Sequence, residues 1–81
     1  MANYYIGQCQ FCKQGLLEIV KEENSGIYFI YCDECEAEWA TPDHALNRHN
    51  GSRFKYGAVT EVTFEEVSAL GWNPFITRVN K

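Results

Sequence analysis

Two segments in the first half of the chain carry the hydrophobic pattern of β-strands. Residues 16–21 and 27–31 are rich in Ile, Val, Phe and Tyr, which strands favour. Residues 22–26 between them have the Asn-Ser-Gly composition of a turn. The pattern therefore predicts an antiparallel hairpin, with shorter strand candidates at residues 4–6 and 38–41. A bulge near Gly15 would bring the turn into register with the flanking cysteines.

The second half contains two helix-start signals. Thr41-Pro42-Asp43 offers a capping side chain, a proline for the first helical position and an acid near the positive helix end. Thr63-Phe64-Glu65-Glu66 fits a capping box, and the helix over residues 64–70 would end at Gly71. Residues 53–62 predict one more strand whose aromatic side chains enter the core. Together the elements predict an α+β fold, an antiparallel zinc-ribbon sheet with one or two short helices.

The length of 81 residues fits one domain, residues 1–81, with a hairpin region at 4–41 and a C-terminal extension at 42–81. A chain this short buries only about 60% of the surface that its unfolded form exposes, so an additional cross-link is expected. The longest apolar stretch, residues 27–32, is far shorter than the ~18 residues of a membrane span. The start of the chain has no charged leader or apolar segment, which favours a cytoplasmic protein with reduced cysteines.

The four cysteines form the strongest motif. Cys9 and Cys12 are separated by two residues, as are Cys32 and Cys35, and nineteen residues lie between the pairs. Each short turn directs two sulfurs towards one ion, and the intervening hairpin brings the two pairs together. Zn²⁺ takes four thiolates in a closed tetrahedral shell, so the spacing predicts one structural zinc ion with no open position for catalysis.

Other uses of the cysteines remain open. Two disulfides conflict with the expected reducing compartment, and a thioredoxin-like site needs a helix after one pair. An iron site of rubredoxin type uses the same four thiolates and would make the protein an electron carrier. His44 and His49 are disfavoured as ligands because four cysteines already fill the shell. No Ser-His-Asp pattern, paired carboxylates or glycine-rich phosphate loop is evident, so we expect no enzyme.

The charge is distributed unevenly along the chain. The net charge is −4, with eight acids and two bases in residues 1–43 and three acids and five bases in residues 44–81. Four thiolates and one Zn²⁺ would take the net charge to about −6. We expect the acids around the second cysteine pair to form a docking surface for a cationic protein. These acids are Asp33, Glu34, Glu36, Glu38 and Asp43.

Residues 4–39 resemble a zinc ribbon, in which rubredoxin-like knuckles sit on a β-hairpin. The chain is also similar to small bacterial zinc-ribbon proteins, some of them associated with toxin–immunity loci, through Tyr31-Cys32-x-Glu34-Cys35-x-x-x-Trp39, Thr41-Pro42, Glu66 and Gly71-Trp72. A typical knuckle has glycine after its second cysteine, whereas Lys13 and Glu36 stand there in this chain. We therefore expect non-standard turns, with Trp39 packed over the hairpin.

The leading functional hypothesis is a monomeric, non-catalytic zinc-binding module that docks to a basic protein. The resemblance implies an immunity or inhibitor protein that blocks a cationic nuclease toxin. The alternative is a nucleic-acid-associated zinc ribbon that uses the basic and aromatic stretch at residues 48–56 to stack on RNA. Nucleic acid is the less favoured partner because the chain is acidic overall.

Overall fold

The chain forms an antiparallel sheet with two short helices in the computed structural model, which describes residues 2–47 and 51–80. The predicted α+β class is confirmed. The strands are β1 (Asn3–Gln8), β2 (Leu16–Glu22), β3 (Tyr28–Cys32), β4 (Glu38–Trp39), β5 (Val59–Thr60) and β6 (Arg78–Asn80). The helices are α1 (Pro42–Leu46) and α2 (Phe64–Ala69), followed by a 3₁₀ turn at Asn73–Phe75.

The predicted hairpin is formed by β2 and β3, which pair from Leu17 opposite Cys32 to Lys21 opposite Tyr28. Its turn is closed by a hydrogen bond from the Gly26 N–H to the Glu22 carbonyl at 2.9 Å, and Gly26 has a φ of 75°. The strand order is β4-β3-β2-β1-β6, and β5 pairs with the end of β2 that β1 does not cover. The hairpin thus lies at the centre of the sheet.

The register irregularity lies in β1 rather than near Gly15. Tyr5 pairs with Glu18, but Gly7 pairs with Leu17, so the register shifts between Tyr5 and Gly7. An extra residue on one strand bends it and increases its twist. This bulge lies directly before the first cysteine pair, so it sets the direction in which β1 enters the metal site.

The core lies between one face of the sheet and the helices. Ile19 and Ile30 on the central strands pack with Ala45 of α1 and Val67 of α2, and all four are at most 1% exposed. Trp39 is 5% exposed and belongs to the same cluster, which confirms its predicted packing against the hairpin. Side chains one position along each strand point to the opposite face of the sheet.

The prediction of a strand over residues 53–62 is wrong for most of that segment. Only Val59–Thr60 forms a strand, and the Phe54 side chain is 90% exposed with a φ of 62°. The reason is the buried Glu38 carboxylate, which accepts hydrogen bonds from the backbone N–H groups of Lys55 and Tyr56 at 3.1 and 3.3 Å. Because these N–H groups donate to the carboxylate, they cannot pair with a neighbouring strand. This part of the segment therefore forms a loop.

Both predicted helix starts are present. The Thr41 side chain accepts a hydrogen bond from the His44 N–H at 3.3 Å. Thr63 and Glu66 form the reciprocal capping box. The sequence pattern predicts an apolar stripe of Phe64, Val67 and Leu70 on α2, but only Val67 is fully buried, and Phe64 is 52% exposed.

The sequence does not predict the last strand, Arg78–Asn80. All three of its residues are exposed, so the strand has no alternating apolar pattern that the sequence could display. It is held by backbone pairing with β1, in which Tyr5 lies opposite Arg78. Within residues 2–47 and 51–80, we find no helix with the length and apolar character needed to cross a membrane.

Glu66 connects α2 to the central hairpin. Its carboxylate accepts hydrogen bonds from the Tyr28 hydroxyl and from the Lys21 ammonium group, the latter at 2.9 Å. A third bond comes from the Thr63 N–H at 2.8 Å. These donors lower the pKa of Glu66 to about 2, with Tyr28 the largest cause, followed by Lys21 and Thr63.

Replacing Glu66 with Gln should destabilise the protein at neutral pH and have less effect in acid. An unshifted glutamate has a pKa of 4.5, so the stabilisation by Glu66 is complete above that pH and is lost as the pH falls towards 2. Glutamine can still form the capping box. Thermal unfolding of the parent and Glu66→Gln between about pH 7 and pH 3 measures the difference, with Glu65→Gln as the exposed control. If the difference in unfolding temperature between the parent and Glu66→Gln did not change with pH, the stabilising role of the ionised Glu66 carboxylate would be contradicted.

Candidate metal centre

The four predicted cysteines come together at the end of the hairpin. All four sulfur atoms lie within 4.8 Å of one another, with 3.9 Å between Cys9 Sγ and Cys35 Sγ and 3.6 Å between Cys12 Sγ and Cys32 Sγ. Zinc–thiolate bonds of about 2.3 Å place the sulfurs of an ideal tetrahedron about 3.8 Å apart. The observed separations therefore fit one tetrahedral metal ion bound between the pairs.

The first pair sits on a tight turn between β1 and β2. The Cys9 N–H donates to the Gly15 carbonyl at 2.9 Å, and the Lys13 N–H donates to the Cys9 carbonyl at 3.1 Å. The Phe11 N–H points at Cys9 Sγ and the Gly15 N–H at Cys12 Sγ, both at 3.4 Å. Backbone donors thus surround sulfurs that carry negative charge when they bind a metal.

The second turn repeats this pattern after β3. The Cys32 N–H donates to the Ala37 carbonyl at 2.9 Å, and the Glu36 N–H donates to the Cys32 carbonyl at 3.1 Å. The N–H groups of Glu34 and Cys35 both point at Cys32 Sγ at 3.4 Å. Two local turns of the same design therefore each present a pair of sulfurs, and we call them the first knuckle (residues 9–15) and the second knuckle (residues 32–37).

The residues after the second cysteine of each pair adopt the backbone shape that glycine would favour. Lys13 has a φ of 59° and Glu36 a φ of 61°, both in the left-handed region. A non-glycine residue in this region costs roughly 1–2 kcal/mol. The two turns therefore have matching geometry in spite of the missing glycines, at the cost of backbone strain in each.

Gly15 allows the two knuckles to approach each other. A methyl group at this position would lie 2.5 Å from Cys32 Sγ and 2.8 Å from both Asp33 Oδ1 and Glu34 Cβ. The neighbouring Leu16 N–H donates to Asp33 Oδ1 at 2.9 Å and fixes the second knuckle against β2. The cysteine motif did not predict this role of Gly15, because the constraint comes from a contact with a turn seventeen or more residues away along the chain.

Burial and backbone donors have opposite effects on the thiols. Burial raises the pKa of Cys32 to about 12 and also raises the pKa of Cys9. The N–H groups of Gln14 and Gly15 lower the pKa of Cys12 to about 6. Burial thus opposes the negative charge on Cys9 and Cys32, and a bound cation would offset this cost and couple metal binding to folding.

The cluster is made only of sulfur ligands among the described residues. Four thiolates complete the coordination shell of a tetrahedral ion, so the arrangement suits a structural site rather than a catalytic one. His44 is exposed on α1 and is not part of the sulfur cluster. His49, the other histidine considered, lies outside the described residues.

The five acids expected to form a docking surface are placed differently from one another. Glu34, Glu36 and Asp43 are exposed, and Asp33 is exposed while its carboxylate accepts the hydrogen bond from the Leu16 N–H. Glu38 is only 8% exposed, and its carboxylate accepts hydrogen bonds from Ser52 Oγ and two backbone N–H groups. The assignment of Glu38 to a partner surface is therefore corrected, because this carboxylate is occupied in holding the 52–56 loop.

One basic side chain contacts both knuckles. Arg53 Nε donates to the Cys35 carbonyl at 3.1 Å, and the guanidinium carbon lies 5.1 Å from the centre of the Phe11 ring. Phe11 is 54% exposed within the first knuckle. Arg53 thus lies beside the acids at the site, although the sequence placed it in a separate basic stretch.

Comparison of the chain with protein-family models, curated proteins and solved structures found no match. The sulfur cluster itself is compatible with the zinc ribbon that the motif predicts.

The purified protein should bind one metal ion, and Cys32→Ser should lose it. Metal analysis and native mass spectrometry give the stoichiometry, and the absorption spectrum distinguishes a red iron tetrathiolate from colourless zinc. The control is Gln10→Ser, which alters an exposed residue of the first knuckle that is not a sulfur ligand. Removal of the metal by a chelator should unfold the parent, since binding free energies of structural zinc reach about 10–16 kcal/mol. Unchanged metal binding by Cys32→Ser would contradict the site.

Gly15→Ala should weaken metal binding without removing any ligand, because the added methyl group pushes the second knuckle away. Gly26→Ala is the control, since its methyl group meets no atom within 4 Å and only the positive φ is penalised. The control should lose stability by about 1 kcal/mol but keep its metal affinity. Competition with a chromophoric chelator measures both affinities, and equal values for the two variants would refute the packing role of Gly15.

Proposed function

We propose that this protein is a non-catalytic module that binds one structural Zn²⁺ and docks to a basic protein. The observation that carries the proposal is the closed cluster of four sulfurs with carboxylates around it. A metal that is fully ligated by protein has no position for substrate or water. The value of such a site is the stability that it adds to a short chain with a small core.

The charge near the metal supports a cationic partner. Zn²⁺ with four thiolates carries about −2, and the accessible carboxylates of the second knuckle and α1 add to it. Those carboxylates belong to Asp33, Glu34, Glu36 and Asp43. Complementary charge increases the rate of association and selects against acidic competitors. Within this class, we propose inhibition of a cationic nuclease toxin, a role that the resemblance to zinc-ribbon immunity proteins supports.

A second candidate function follows from the aromatic side chains beside the knuckles. Phe54 is 90% exposed, and Arg53 stacks on the exposed Phe11. Aromatic rings and guanidinium planes are the groups on which single-stranded nucleic acids stack their bases. This observation favours RNA or single-stranded DNA as the alternative partner, against the repulsion expected from an acidic chain.

Affinity capture from the native host with the metal-bound protein as bait should distinguish the two. We expect a basic protein in stoichiometric amount, released by salt because the contact is electrostatic. Glu34→Gln with Asp43→Asn should reduce its recovery, whereas the charge-matched pair Glu23→Gln with Glu65→Gln should not. Recovery of nucleic acid without a basic protein, with loss of that binding in Phe54→Ala, would overturn the proposal in favour of the alternative.

A further inference from the structure

The face of the sheet opposite the core carries a row of polar side chains. Tyr5 lies opposite Glu18, Glu18 opposite Tyr31, and Tyr31 opposite Glu38 in the register of four adjacent strands. Residues paired across strands project from the same face, and Leu17 and Ile19, on either side of Glu18, point into the core on the other face. The helices pack against the core face, so this second face is covered only in part, by the segment that contains β5.

Two adjacent cavities of about 330 Å³ each lie on this second face. Tyr31 and Val59 line both, and we call the pair of cavities the groove. The first cavity is also bounded by Asn3, Glu18 and Glu61, and the second by Glu36, Phe54 and Tyr56. Among the described residues, none that lines the groove is a lysine or an arginine. The nearest cation that contacts a lining residue is the Lys55 ammonium group, 5.6 Å from the centre of the Tyr56 ring in the second cavity, so the carboxylates of the first cavity have no cation among the lining residues.

Glu61, which lines the first cavity and also a separate one beside Tyr4 and Phe64, has a carboxylate oxygen that lacks a partner. Glu61 Oε2 is buried and accepts no hydrogen bond from the described residues. An unsatisfied buried acceptor costs about 1–3 kcal/mol, more when it is charged. Because this oxygen is buried, a cationic or N–H group from outside would remove this cost only if the Glu61 side chain turned its carboxylate towards Glu18 in the first cavity.

Glu18 stands in the same cavity and is only 6% exposed. The Asn3 side-chain amide donates a hydrogen bond to Glu18 Oε2 at 2.7 Å. Glu18 Oε1 accepts no hydrogen bond from the described residues. Burial raises the pKa of Glu18, and the nearby charges of Asp33 and Glu61 raise it further, while the Asn3 bond opposes them. A positive charge placed between Glu18 and Glu61 would relieve both the repulsion and the desolvation.

The second cavity offers aromatic surfaces instead. The Tyr56 ring stacks on Phe29 with a centroid distance of 4.0 Å, so its position on the sheet is fixed. Phe54, 90% exposed, forms part of the rim. The Lys55 ammonium group already lies 5.6 Å from the centre of the Tyr56 ring, so the exposed Phe54 ring is the better surface for a cation from outside. An aromatic face together with carboxylates suits an alkylammonium or guanidinium group better than a bare metal ion.

We propose that this groove is the docking site for lysine or arginine side chains of the basic protein partner. The inference rests on the proposed function and refines it, because it moves the anchor of the complex from the acids of the knuckles to the second face of the sheet. One cationic group binds between Glu18 and Glu61, and the aliphatic stem and neighbouring residues of the partner lie along Tyr31, Val59 and Tyr56.

Titration of the ¹⁵N-labelled, metal-bound protein with the peptide tetralysine at low ionic strength tests the groove directly. The expected result is saturable shifts of the amide signals of Val20, Thr60 and Glu61. Glu18→Gln with Glu61→Gln should weaken binding about tenfold, which corresponds to about 1.4 kcal/mol. The control pair Glu23→Gln with Glu65→Gln has the same net charge but lies outside the groove, and it should bind within about twofold of the parent.

A second variant keeps the test decisive if the double glutamine variant does not fold. Val59→Lys places a cation at a residue that is 38% exposed and lines both cavities, while both carboxylates remain. It should block tetralysine. Absence of binding, equal binding by the two charge-matched pairs, or shifts confined to the amides of Asp33 and Glu34 would overturn the groove as the docking site.

The outcomes separate this inference from the proposed function. If a basic partner is captured and the Glu18→Gln, Glu61→Gln variant retains it, the groove is wrong while the proposed function stands. If no basic protein is captured, the proposed function fails, and the tetralysine titration still decides whether the groove accepts cationic side chains.

Discussion

The convergence of four sulfur atoms is the constraint on which the rest of the structure depends. The first knuckle must meet the second, and this fixes how β1 enters through its bulge, how β2 and β3 pair, and where β4 begins. Each knuckle is closed by its own backbone hydrogen bonds. Neither knuckle has enough apolar residues to keep the two knuckles packed together. A metal ion bound by both would supply that attraction, and the energy would appear as folding stability.

Three of the acidic side chains have structural roles. Glu38 binds the 52–56 loop over the edge of β4, and Glu66 connects α2 to the hairpin through Lys21 and Tyr28. Glu22 accepts the N–H groups of the hairpin turn at Asn24 and Ser25. Carboxylates thus join segments that are distant in sequence, which a core of this size does not achieve with apolar contacts alone. The number of acids in a region of the sequence is therefore larger than the number of carboxylates that are free to contact a partner.

Local signals predicted most of the fold correctly. The hairpin, the capping residues Thr41 and Thr63 and the positive φ at Gly71 depend on neighbouring residues, so the sequence displays them. The strand predicted over 53–62 failed because Glu38, distant in the chain, takes the N–H groups that a strand would use. The last strand escaped prediction because backbone pairing with β1 forms it without any apolar pattern.

By itself, the sequence determined the four cysteines that could bind a metal, the hairpin that carries them and the overall acidity, because spacing and composition are properties of the chain. The tertiary structure alone decided which carboxylates are free. It buried Glu38 and placed Glu18, predicted only as part of a strand, next to Glu61 from a segment more than forty residues later. The physical reason is that hydrogen bonding and desolvation depend on neighbours in space, and strand pairing brings those neighbours together from distant parts of the chain.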